Sequence, residues 1–159
     1  MLDKSISTRS SLIHFTNFLP TSHTDWILSA ISPASMNSST TIILGVSITT
    51  TVISNPSMAE SHLIREQSSI IYSNHRPIVG LDIEWKPNRI PGCNNKVAIL
   101  QLCVGTRCLI LQLLHFNYIP QSPKNFPGDA NKIFVGVGIE EDSRKLYRDY
   151  GIDVQSLVN

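Results

Sequence analysis

The sequence predicts an α/β domain, a mixed sheet with helices packed on its faces, and three observations lead there. Short β-branched or apolar runs recur along the second two thirds of the chain. Two stretches instead show helical spacing of apolar residues. Clusters of Pro, Gly and Asn separate these runs, as turns separate elements in a layered fold.

Taken in order, Thr40 to Ile53 is β-branched with Gly45 in its middle, and reads as two short strands or one bulged strand. Pro56, followed by Ala59, Leu63, Ile64, Ile70 and Ile71, predicts a helix over 57–70. Three strands follow, over 77–85, 96–104 and 108–113. They are joined by a loop bearing Pro87, Pro91 and Gly92 and by the tight turn Gly105-Thr106-Arg107. Pro120, Pro123, Pro127 and Gly128 limit residues 117–130 to one or two helical turns. The run from Lys132 to Ile139 reads as a strand buried on both faces. Glu140 to Tyr150 then reads as a helix, with acids in its first turn, Lys145 and Arg148 towards its end, and Gly151 as its stop.

The totals bound the function. A chain of 159 residues, 42% hydrophobic and 16% charged, has room for one ordinary domain. The formal net charge of +1 excludes a protein held to nucleic acid by a basic field alone. The longest apolar runs, Ile42 to Val46 and Phe134 to Ile139, fall far below the roughly 18 residues of a spanning helix, so no membrane partner is expected. Cys93, Cys103 and Cys108 show no C-x-x-C spacing and no even count. They read as reduced, which points to the nucleus, the cytoplasm or an organelle interior rather than a secreted protein. Residues 1–57 hold 22 Ser or Thr but only four charged residues. A poorly ordered leader is therefore expected over 1–39 and a domain over 40–159; a transit peptide, or a true start at Met36, are the other readings of that leader.

Asp82 and Glu84 carry the chemistry. Alternate residues of a strand share a face, so these carboxylates project together, roughly 6.5–7 Å apart at Cα, while Leu81 and Ile83 point into the opposite layer. Two like charges in an apolar strand raise one another's pKa, and a hard divalent cation removes that penalty. Asp-x-Glu is also a common tripeptide of solvated sheet edges, so the pair needs company. Asp142, in the first turn of the last helix, is a further candidate, although a helix N-terminus stabilises a carboxylate without any functional reason.

That company is present. Val-Gly-Leu-Asp-Ile-Glu-Trp at 79–85, Lys-Val-Ala-Ile-Leu-Gln-Leu-Cys-Val at 96–104 and Val-Gly-Val-Gly-Ile-Glu-Glu-Asp-x-x-x-Leu at 135–146 stand in order. Together they resemble the Werner-syndrome-type exonucleases of the DEDD superfamily, particularly the plant Werner-like proteins. The resemblance implies a ribonuclease-H-like fold and stepwise removal of nucleotides from the 3′ end of single-stranded or 3′-ended nucleic acid, using two divalent ions, Mg²⁺ or Mn²⁺. It implies that Asp82 bridges both ions, that Glu84 binds the ion activating the attacking water, and that Asp142 supports the other. Trp85, Lys86 and Arg89 are placed to meet the terminal nucleotide by stacking and phosphate pairing, or else form an ordinary solvated strand end.

The resemblance further implies a late Tyr-x-x-x-Asp motif, and none occurs downstream of Asp142. The chain is therefore expected to be a partial domain lacking its C-terminal part. Three functions compete: an exonuclease, a catalytically inactive remnant that still binds nucleic acid or protein, and a non-enzymatic β-rich protein in which Asp-x-Glu is incidental. A separately encoded helicase is a further expected partner.

Overall fold

The computed structural model describes residues 36–70, 76–86 and 94–159, with the side chains of 68–70 set aside. Seven strands form one mixed sheet. β1 (Met36–Ile43) and β2 (Val46–Ile53) make an antiparallel hairpin through the turn Leu44-Gly45, where both residues have positive φ. β1 thus begins four residues before the expected Thr40. Asn55 then caps the helix α1 (Pro56–Ile70), its Oδ1 accepting from the Met58 amide at 3.1 Å, and Pro56 occupies the first helical position, where its missing N–H costs nothing.

β3 (Ile78–Glu84), β4 (Ile99–Val104) and β5 (Arg107–Gln112) are the three expected central strands. A 3₁₀ turn, Leu113–His115, leads to the short helix α2 (Gln121–Asn125), within the one or two turns the prolines allow. α2 has no side-chain cap of its own; Glu60 of α1 accepts from both the backbone N–H and the hydroxyl of Ser122 and supplies one. β6 (Ile133–Val135), α3 (Ile139–Tyr150) and β7 (Leu157–Val158) complete the chain.

The spatial order is β1-β2-β5-β4-β3-β6-β7. β2 runs parallel to β5, β3 to β6 and β6 to β7, and the remaining neighbours are antiparallel. This is the predicted mixed α/β sheet. Val79, Leu81 and Ile83 of β3, Leu100 and Leu102 of β4, and Leu109 and Leu111 of β5 point into the core with Ala59 and Leu63 of α1. The opposite face is more open: Asp82, Ile99, Gln101, Cys103 and Ile110 are only half-buried.

Two expectations need correction. The strand predicted over 132–139 ends at Val135, because Gly136-Val137-Gly138 turns the chain and Gly138 adopts a left-handed conformation (φ 69°) that starts α3. The cysteines read as reduced are not all so: Cys103 and Cys108 are joined as a disulfide. The β4–β5 register sets them directly opposite, with Cα atoms 4.2 Å apart, so a spacing of five residues that looked unlike a bridge becomes one in a tight hairpin. Thiol state therefore no longer argues for a reducing compartment.

Candidate metal centre and nucleic-acid interface

β3 is an inner strand, hydrogen-bonded to β4 on one side and β6 on the other, so its backbone is held from both edges. Its alternation puts Leu81 and Ile83 into the core and Asp82 and Glu84 onto the open face, beside Gln101 and Ile99 of β4. The Glu84 carbonyl accepts from the Ala98 amide at 2.8 Å, which extends the ladder past the formal start of β4. Glu84 lies exposed and Asp82 half-buried. Burial pushes the Asp82 carboxyl up from its ordinary value, and a hydrogen bond from the Ile83 backbone only partly opposes this.

Asp142 stands on a helix that packs on β3. β6 runs parallel to β3 and pairs Val135 with Gly80, so the chain leaves the sheet beside the carboxylate half of β3. Gly136 makes the close passage possible: a Cβ there would stand 2.4 Å from the Leu81 carbonyl oxygen. No side chain fits. α3 then begins at Ile139 and packs on β3, with Asp142 buried in its first turn, 9% exposed, and its amide donating to the Gly138 carbonyl. The helix N-terminus favours its negative charge. Among the described residues, however, no three His, Cys, Asp or Glu side chains converge closely enough to form a ready metal cage.

Just past β3, Trp85 stands at the surface, 36% exposed, with the Lys145 ammonium 5.2 Å from its ring centroid. That cation–π contact occupies one approach to the indole. Lys86 is exposed, and its carbonyl accepts from Asn95 Nδ2. Arg89 lies outside the described residues.

Beneath Trp85 is a group of residues that sequence reasoning missed. Asp149, whose side chain is fully buried, accepts from the Val97 amide at 3.0 Å, from Asn94 Nδ2 and from Lys145 Nζ at 2.9 Å. Lys145 also donates to the Asn95 carbonyl at 2.8 Å, and the Tyr150 hydroxyl donates to the Val97 carbonyl at 2.6 Å. Burial alone would raise the Asp149 pKa. The hydrogen bonds from Lys145, Asn94 and Val97 outweigh it and hold the carboxyl below its ordinary range. Burial, helped by the Asp149 charge, pushes Tyr150 up to about 12. The network ties α3, which carries Asp142, to the segment entering β4 beside Glu84. The Lys145–Asp149 spacing of four was visible in the sequence, but Lys145 was read there as a cation suited to the helix C-terminus.

The donor set suits a hard divalent cation. The oxygens are carboxylates, and among the described residues no Lys or Arg is paired with Asp82, whose charge folding disfavours.

Fold and strand together define a ribonuclease-H-like α/β protein with its carboxylates on an inner strand. A family model described as "3'-5' exonuclease" matches residues 60–159, and the chain belongs to that family. It is 38% identical over 95 residues to a "3'-5' exonuclease" of Arabidopsis thaliana, covering 58% of this chain and 31% of that protein. Over 82 residues it is 37% identical to the "Bifunctional 3'-5' exonuclease/ATP-dependent helicase WRN" of Mus musculus, covering 51% of this chain and 6% of that one. The chain thus spans under a third of the length of these curated relatives. A crystal structure of the EXD2 exonuclease domain soaked in Mn and dGMP superposes with a TM-score of 0.59 at 22% identity, covering 69% of this chain and 54% of that one, and shows the shared fold. No helix among the described residues is long and apolar enough to cross a membrane.

Proposed function

We propose that this chain is a metal-dependent 3′-to-5′ exonuclease domain of the Werner-syndrome type, resembling the plant Werner-like proteins, in which Asp82, Glu84 and Asp142 hold two Mg²⁺ or Mn²⁺ ions against the 3′ end of a nucleic acid. The observation that carries the reading is the threading at Gly136. It leads from β6 into a helix that packs on β3, the strand of Asp82 and Glu84, and this supports the reading. When bound, such ions lower the pKa of water and neutralise charge on the phosphate oxygens.

The chain's own residues do the rest. Asp82 and Glu84 project from a strand held on both edges, so little backbone order is lost on binding. The exposed face of Trp85 offers a stacking surface to a terminal base, while Lys86 is placed to meet a phosphate. The small net charge leaves phosphate attraction to the cations. A separately encoded helicase that unwinds duplex ends is the partner this reading suggests.

The test combines Mn²⁺ calorimetry with release of mononucleotides from a 5′-labelled single strand. The wild-type chain should bind Mn²⁺ and shorten the strand from its 3′ end, and Asp82→Ala with Glu84→Ala should abolish both. Binding of Mn²⁺ and DNA without release would favour the inactive remnant. Mn²⁺ binding indifferent to both substitutions would leave Asp-x-Glu incidental.

A further inference from the structure

The sheet has two edges among the described residues, and they are protected very differently. β7 is two residues long, too short to template another strand. β1 is eight residues long, Met-Asn-Ser-Ser-Thr-Thr-Ile-Ile, and is exposed on both faces along almost its whole length. Soluble proteins usually blunt such an edge with a lysine, a proline or a bulge. β1 has none of these: its ladder to β2 runs unbroken from Met36↔Ile53 to Ile43↔Val46, and the hairpin 36–53 contains no charged residue and no proline. Its tip also shows apolar side chains to solvent, with Ile42 72% and Leu44 96% exposed.

The strand is self-complementary in one register. In an antiparallel pair about a two-fold axis normal to the sheet, facing residues lie on the same side, so their numbers must share parity. Centring the axis on Ser39 pairs Ser39 with Ser39, Ser38 with Thr40, Asn37 with Thr41 and Met36 with Ile42. Apolar then meets apolar at both ends, and hydroxyls and amide meet in the middle. With no charge on the strand, no like charges oppose one another. The hydroxyls already form such rungs within the sheet: Ser38 Oγ lies 3.0 Å from Thr51 Oγ1 and Thr40 Oγ1 3.4 Å from Thr49 Oγ1.

We infer that β1 is a homotypic interaction surface, through which a second copy of this chain adds its own β1 antiparallel in the Ser39-centred register to continue the sheet. The contact is isologous and closes at two copies, because it consumes the one long sheet edge among the described residues of each copy. β2, β5 and β4 separate β1 from β3, so the carboxylates of β3 stay open in the pair. The inference does not depend on any catalytic role.

Sedimentation of the full chain across a range of concentrations should show a reversible monomer–dimer equilibrium. Ser39→Lys sets two ammonium groups face to face at the axis and should weaken it by at least about tenfold. Ser39→Cys should cross-link the dimer under mild oxidation much faster than Thr41→Cys, whose cysteines stand opposite Asn37 in this register, with the wild-type rate through the native cysteines as baseline. That comparison stands even if the lysine variant folds poorly. A chain that stays monomeric, an open-ended polymer, or equal cross-linking by the two cysteine variants would overturn the inference.

Discussion

Asp82 sits where the fold does not favour a charge, and this makes one residue a test of what the site is for. Its pKa is raised by burial, so in the metal-free protein its ionisation costs stability above its folded pKa, and that cost is relieved as pH falls through it. Asp82→Asn should therefore stabilise the chain slightly in EDTA at neutral pH, as read from urea melts. The same variant should lose its response to Mn²⁺. A simple structural aspartate would show the reverse pattern. Asp149 obeys the opposite sign. Its pKa is depressed, so its contribution is present above the ordinary aspartate value of 3.8 and is lost as pH falls through the lower folded value. Asp149→Ala leaves the Lys145 ammonium buried without its carboxylate partner and the Val97 amide without an acceptor. It should cost about 3 kcal/mol in chemical denaturation.

At the scale of elements, the loop between β6 and α3 admits no side chain at Gly136. Gly136→Ala would drive a methyl into the Leu81 carbonyl, which is backbone of an inner strand and cannot step aside. We expect about 2–3 kcal/mol of destabilisation by thermal melting, and weaker Mn²⁺ binding in whatever folds. The β1–β2 turn is the opposite case. Leu44 holds φ of 49° with its side chain in solvent, a conformation that a branched apolar residue adopts at a cost. Leu44→Asn should stabilise the hairpin by about 0.5–1 kcal/mol, since asparagine tolerates this region and the pair becomes Asn-Gly, the preferred two-residue turn. These elements also show what was legible in the sequence. Alternation in 79–84 exposed β3, and Pro56 marked the start of α1. The run 133–139 misled because Val137 and Ile139 continue the apolar character of β6 past a turn that only the flanking glycines betray. β7 escaped notice because two residues carry no period at all.

At the scale of the whole molecule, the proposed cation site ties stability to its ligand. If Mn²⁺ binds the folded chain alone, a hundredfold excess over its Kd should add about 2.7 kcal/mol, an upward shift in melting temperature that EDTA reverses and that the Asp82→Ala, Glu84→Ala double variant lacks. The carboxylate pair was legible because two residues on one strand make a local pattern. What holds them in relation to Asp142 was not, because the partners lie far apart in the chain: Asp149 meets Val97 across 52 positions and Lys145 meets Asn95 across 50. The Cys103–Cys108 bridge was hidden for a related reason, since only the hairpin register makes those two residues neighbours.

That separation sets a timetable. The ties between α3 and the entry to β4 close large loops, whose entropy must be surrendered before their hydrogen bonds return anything, so they belong to the late events of folding. During synthesis, β3 and its carboxylates leave the ribosome some sixty residues before Asp149 does. For that interval the nascent strand carries its acids with neither α3 nor the buried lysine in place, and the proposed cation site can form only as α3 docks.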